Sequence, residues 1–125
     1  MSLGLLGKKL GMTRLFDSQA GIMIPVTVIE VSGNTILQAK TPDKEGYSAV
    51  QVGYDDQKEQ RVAKPALGHF KKSGSSPKRF IREFRLADGA TAPESADLLV
   101  TGFEIGQFVD VIGQSKGKGF QGTMK

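Results

Sequence analysis

Hydrophobic and polar positions alternate with a period of two in several short runs, which predicts strands. Residues 26–31 (VTVIEV) are rich in β-branched side chains, and Pro25 before them suits a strand start or an edge. Ser32, Gly33 and Asn34 read as a turn into a second strand at residues 35–40, so the pattern predicts a hairpin of these two runs. Residues 41–46 are expected to be a loop, and residues 47–54 (YSAVQVGY) a third strand. Residues 79–86 (RFIREFRL) alternate imperfectly, which predicts a bulge or an edge strand. Residues 107–112 (QFVDVI) form the last predicted strand, with Phe108 beside Val109 and Val111 in the core.

One segment has helical spacing. In residues 65–72 (PALGHFKK), Pro65 suits a first turn, Leu67 and Phe70 share a face with Ala66, and Gly74 stands where a C-terminal cap belongs. Residues 73–77 (SGSSP) read as a flexible break, and residues 87–97 as an acidic loop. Short strands at close spacing with one helix among them predict a mainly β fold. The expected form is a small antiparallel barrel with an excursion, not a parallel sheet. There is no internal repeat and no linker long enough for two folded domains.

Composition narrows this picture. A chain of 125 residues with 38% hydrophobic and 7% aromatic residues and no Trp supports one modest, mostly aliphatic core. Glycine at 16 residues is nearly twice the usual ~7%, which favours a loop-rich β protein. The absence of cysteine excludes disulfides, thiolate metal sites and cysteine nucleophiles, and it fits a reducing compartment. The opening apolar run is too short for a signal peptide, and no stretch approaches the ~20 apolar residues needed to span a bilayer. A cytoplasmic setting is expected.

The net charge of +4 is unevenly placed. Residues 1–16 carry +3, residues 17–57 carry −4, residues 58–85 carry +7, residues 86–110 carry −5 and residues 111–125 carry +3. Such segregation suits a polarised molecule with basic surfaces for one partner, although an ordinary mixed surface gives the same tally.

The basic clusters are the best chemical lead. Lys8, Lys9 and Arg14 sit among Gly4, Gly7 and Gly11. Lys71 and Lys72 lead toward Lys78, Arg79, Arg82 and Arg85, with Phe80 and Phe84 interleaved. The phenylalanines read as core and the cations as phosphate contacts, each neutralised phosphate adding a salt-sensitive contribution. At the end of the chain, Gly113, Gly117, Gly119 and Gly122 alternate with Lys116 and Lys118, with Phe120 among them and Lys125 last. Bare glycine backbone can approach a polyanion closely, and interleaved lysine supplies the charge. Phe120 either stacks on a base or pins the segment to the fold, and the pin is the preferred reading.

Catalysis finds no support. Residues 117–122 (GKGFQG) satisfy a dinucleotide-binding spelling, but only three residues follow, leaving no room for the helix and the distant acid that the motif requires. His69 is the single histidine and reads as structural or as a phosphate or partner contact. Asp55 and Asp56 read as turn residues, and no cluster has the spacing of a metal site. No cofactor is implied.

Several segments together resemble bacterial ribosomal protein L3 of the large subunit. They are GLLGKKLGMTRLF at residues 4–16, IPVTVIEV at 24–31, GHFKKSG at 68–74, REFRL at 82–86 and VDVIGQSKGKGFQGTMK at 109–125. The similarity runs through the whole chain in order. It implies a structural protein, not an enzyme, whose β-barrel is related to those of translation factors. A glycine- and lysine-rich extension leaves that barrel and penetrates ribosomal RNA toward the peptidyl transferase centre. The resemblance also implies binding to large-subunit ribosomal RNA near its 3′ end, an early role in subunit assembly, and contacts with ribosomal proteins such as L14 and L19. By position, Lys8, Lys9 and Arg14 match its N-terminal motif, and His69 and Phe70 its helix motif. Ser115, Lys116, Gly117, Lys118, Gly119, Phe120, Gly122 and Lys125 match its glycine–lysine motif. Family members continue past this point, through the extension and back into the barrel. The expected division is therefore a barrel at residues 1–112, lacking C-terminal strands, and the start of the extension at residues 113–125. Two rivals remain: a protein-interaction module of the translation apparatus working through acidic Glu94, Asp97 and Glu104, and a nucleotide-dependent enzyme using residues 117–122.

Overall fold

A computed structural model describes residues 4–87, 97–98 and 100–122. Its first element is a long antiparallel hairpin of β1 (Lys8–Asp17) and β2 (Ile22–Glu30), paired from Lys8 opposite Glu30 to Asp17 opposite Ile22, with a bulge between Lys9 and Gly11. Asp17 builds the turn. Its Oδ1 accepts the N–H groups of Gln19 at 2.9 Å and Ala20 at 3.2 Å, and its carbonyl accepts from Gly21, whose φ of +65° suits glycine. Pro25 is tolerated inside β2 because that strand has β1 on one side and no partner among the described residues on the other.

The second sheet has the order β5–β4–β3–β6, all antiparallel, from β3 (Asn34–Lys40), β4 (Ala49–Asp56), β5 (Lys78–Arg85) and the two-residue β6 (Asp97–Leu98). A one-turn helix α1 (Pro42–Glu45) occupies the expected loop between β3 and β4, and α2 (Lys64–Ser73) matches the predicted helix. The core is small and mostly aliphatic: Ala49, Val50 and Val52 are fully enclosed, with Leu37, Tyr54 and Phe70 beside them.

The predicted pairing of residues 26–31 with 35–40 does not occur. The chain turns a corner at Gly33 (φ +76°), so β2 belongs to one sheet and β3 to the other. Asn34, 1% exposed, holds that corner. Its Nδ2 donates to the carbonyls of Leu6 (2.8 Å) and Val31 (2.7 Å), and its Oδ1 accepts the Leu6 N–H at 3.0 Å. One amide thus grips the chain just before β1 and just after β2. Tyr54 adds a second tie, its hydroxyl donating to the Glu30 carbonyl at 3.2 Å. Gly4 lies so close to the Phe84 ring that a Cβ would not fit.

Among the described residues the two sheets do not close into a barrel. Residues 107–112, predicted as the last strand, have no regular structure, because a strand needs a ladder partner and the described residues offer them none. Phe108 is accordingly fully exposed, with Val109, Val111 and Ile112 also in solvent, and the core placement of Phe108 is corrected. The two phenylalanines of β5 also differ from the core reading: Phe84 is half-buried, and Phe80 is 44% exposed. Most of the expected acidic loop at residues 87–97, including Glu94, lies outside the described residues.

Replacing Asn34 by Leu leaves the Leu6 N–H and two carbonyls without a partner in a buried place. Urea unfolding of Asn34→Leu is expected to show a loss of about 2–3 kcal/mol, against a few tenths for Asn→Leu at an exposed site.

Candidate nucleic-acid interface

The basic residues divide by what they touch. Lys8 and Lys9 are exposed at the start of β1, and successive strand residues point to opposite faces, so they do not form one patch. Arg14 is exposed on the same strand, its Nη1 3.7 Å from the Met23 sulfur. Lys71 and Lys72 are exposed in the last turn of α2, where the carbonyl ends favour positive charge, and Gly74 closes that turn in the left-handed conformation. Arg82 is exposed and donates from Nη1 to its neighbouring Ile81 carbonyl at 2.8 Å.

Arg79 is partly engaged, 3.8 Å from Asp55 and over the Phe80 ring at 5.2 Å. Lys78 is a clear correction to the phosphate-contact reading. Its side chain is buried, with Nζ 2.9 Å from the Asp56 carboxylate and 3.3 Å from the Gly33 carbonyl. Burying an ammonium is costly unless such partners replace its lost water, so Lys78 belongs to the architecture. Asp55, expected in a turn, lies within β4 in the left-handed conformation (φ +66°), between Tyr54 opposite Phe80 and Asp56 opposite Lys78.

The glycine–lysine segment is open. From Gly113 to Gly122 the chain has no regular structure, and Ser115, Lys116, Gly117, Lys118 and Gly119 are all exposed. Neither Lys116 nor Lys118 has a carboxylate within ion-pair distance among the described residues. Phe120 is fully exposed, so the preferred pin against the fold is not formed. Lys125 lies outside the described residues. No helix begins within the GKGFQG motif at 117–122, which removes the anion-binding helix end that a dinucleotide site requires.

His69 has a structural partner. Its Nε2 lies 2.7 Å from Gln51 Oε1, tying α2 to β4. Among the described residues no group of acids and histidine is arranged to hold a metal ion. The open recess of about 300 Å³ lined by Glu30, Ser32, Gly33, Tyr54, Asp55 and Asp56 is acidic, and so unsuited to a polyanion.

One polar network is invisible in the sequence because its members are up to 43 residues apart. Glu83 accepts from Lys40 Nζ at 2.6 Å, the Tyr47 hydroxyl at 2.8 Å and Gln51 Nε2 at 3.3 Å. The hydrogen bond from Lys40, then that from Tyr47, holds the Glu83 carboxyl below the usual carboxylate range, and the same pairing raises Lys40. Asp56 is lowered in the same way, first by the Ser76 hydroxyl and then by Lys78. The Tyr54 phenol is pushed up, chiefly by burial.

The site thus reduces to a basic, open, glycine-rich segment beside a small β fold. Comparison with known proteins specifies this further. The chain is 60% identical over 126 residues to large ribosomal subunit protein uL3 of Akkermansia muciniphila, covering all of this chain and 60% of that protein. It is 54% identical over 125 residues to proteins of the same name from Streptococcus pyogenes and Streptococcus agalactiae, again over all of this chain and 59% of each relative. The chain is thus homologous to the N-terminal part of uL3, the ribosomal L3 family, and spans about three-fifths of those curated relatives. No family model matches it. The relatives are named as ribosomal proteins, not as enzymes.

Both carboxylates have lowered values, so the stability they contribute is present above the ordinary carboxylate range near pH 4 and is lost as pH falls through their folded-state values. The urea midpoint is expected to drop on acidification from pH 5 to pH 3. In Asp56→Asn/Glu83→Gln that drop should be shallower, with a lower midpoint at pH 6.

Proposed function

We propose that this chain serves as a structural constituent of the large ribosomal subunit, binding large-subunit ribosomal RNA and supporting subunit assembly in the cytoplasm. Homology to uL3 over the full chain supports the assignment to the large subunit. The observation that carries RNA binding is the exposed segment at residues 113–122, with Lys116 and Lys118 free of ion pairs among the described residues on glycine-rich backbone. In this role Lys8, Lys9, Arg14, Lys71, Lys72, Arg82, Lys116, Lys118 and Lys125 neutralise phosphates. Gly113, Gly117, Gly119 and Gly122 let the backbone come close, and Ser115 adds a hydroxyl. Phe120, exposed as it is, stacks on a base. Recognition is then of RNA shape and backbone more than of base sequence.

In the same reading, residues 113–125 begin an extension and residues 1–112 form the body that presents it. Ribosomal proteins such as L14 and L19 are proposed neighbours, by resemblance to the L3 family. The exposed apolar side chains of the β1–β2 hairpin, including Leu10, Met12, Leu15 and Phe16, support a protein-facing role as well, since large exposed apolar patches mark contact surfaces.

Filter binding of the 125-residue chain to a large-subunit ribosomal RNA transcript tests the reading. Lys116→Ala/Lys118→Ala is expected to weaken binding and to reduce the slope of log affinity against log salt by about 1.5, roughly 0.7–0.9 for each phosphate that is no longer neutralised. An unchanged slope would remove these lysines from the interface.

A further inference from the structure

Arg85 ends β5, exposed, on the same face of the sheet as Glu83, and its guanidinium lies over the Tyr47 ring at 4.9 Å from the centroid. Tyr47 is itself firmly placed. Gly46, at φ +81°, closes the α1 turn with its N–H on the Pro42 carbonyl at 3.0 Å. Glu45 secures the same turn by accepting from Thr41 N–H at 3.1 Å and Gln38 Nε2 at 3.2 Å. The Tyr47 hydroxyl donates to Glu83 Oε2 and accepts from Lys40 Nζ, each at 2.8 Å. The ring is therefore a fixed platform, and a guanidinium stacked on it surrenders less side-chain freedom when it binds.

Electrostatics point the same way. Glu83 is the nearest acid in sequence to Arg85, yet its carboxylate already accepts from Lys40, Tyr47 and Gln51. Arg85 has no carboxylate within ion-pair distance among the described residues. Lys40 thus neutralises the acid that would otherwise compete with a phosphate. What remains is a planar cation held over the Tyr47 ring, without an ion partner among the described residues and with the bidentate donor geometry that phosphate oxygens accept.

We infer that Arg85, stacked on Tyr47 and spared from Glu83 by Lys40, is a preformed phosphate-binding fork through which the β5 end of the sheet grips the RNA backbone. The inference rests on the RNA-binding reading and adds an anchor on the folded sheet, separate from the glycine–lysine segment. It also sorts the cations of β5 by role. Lys78 is buried in the architecture, Arg79 is shared with Asp55, and Arg85 is mounted for an outside anion.

The test uses the 125-residue chain, the same ribosomal RNA transcript and a salt titration, with urea midpoints measured in parallel. Arg85→Ala is expected to weaken binding roughly tenfold and lower the salt slope by about 1. Arg85→Lys keeps the charge, so its slope should match the unchanged chain while affinity falls several-fold through loss of the stacked fork. If Arg85→Ala binds like the unchanged chain while Lys116→Ala/Lys118→Ala does not, the Arg85 fork is overturned and the RNA-binding function stands. If Arg85→Lys matches the unchanged chain in affinity, the fork is overturned in favour of simple charge. If none of the three variants alters binding, the RNA-binding reading fails and this inference fails with it.

Discussion

The arrangement depends on one buried amide. Asn34 stands where the chain leaves the hairpin and enters the second sheet, and it bonds both ends of that hairpin at once through Leu6 and Val31. A two-stranded ribbon alone is marginal in water, so β1 and β2 need an anchor. The amide supplies it with both donors and its acceptor satisfied, which makes its burial favourable where a half-satisfied amide would not be. Tyr54 on Glu30 and Gly4 under Phe84 reinforce the same junction from β4 and β5. The placement of Lys8, Lys9 and Arg14 relative to the sheet follows from this corner.

A second constraint is the division of positive charge. The chain carries an excess of basic residues, but counting them overstates the surface open to a polyanion. Lys78 is sequestered between Asp56 and the Gly33 carbonyl, and Lys40 is absorbed by Glu83. Both act as electrostatic fasteners across strands. Among the described residues, cations without an ion pair include those of the hairpin, Lys44, Lys58, Arg61, both ends of α2, the β5 end and the glycine–lysine segment. Neutralising acids internally is what leaves those positions with a net field.

Large apolar side chains are unusually exposed for so small a fold, along both hairpin strands and again at Ile105, Phe108 and Ile112. Such exposure is costly in an isolated domain and ordinary at an interface. In the curated relatives the matching region is the N-terminal three-fifths, so there it folds in the company of further chain.

Much of this is legible in the sequence, for local reasons. The helix at 64–73 announces itself through Pro65, its apolar face and Gly74, because capping and periodicity act within a few residues. The strands β4 and β5 and the glycine–lysine segment are visible for the same reason, and five separated motifs suffice to bring out the family resemblance. Pairing is not legible. The pattern at 26–31 does mark a strand, yet its partner is residues 8–17, where Lys8, Lys9 and Gly11 conceal the strand. Residues 107–112 show the converse, a strand pattern with no ladder among the described residues. Lys78 and Arg85 look alike in the chain, and only the fold separates them, one buried beside Asp56 and the other mounted on Tyr47. Propensity and charge are properties of a few neighbouring residues, whereas burial, strand partner and ion partner are set by groups tens of residues away. The sequence therefore marked most of the elements and the clusters of basic residues, and the tertiary structure decided which of those cations the fold engages and which lie exposed.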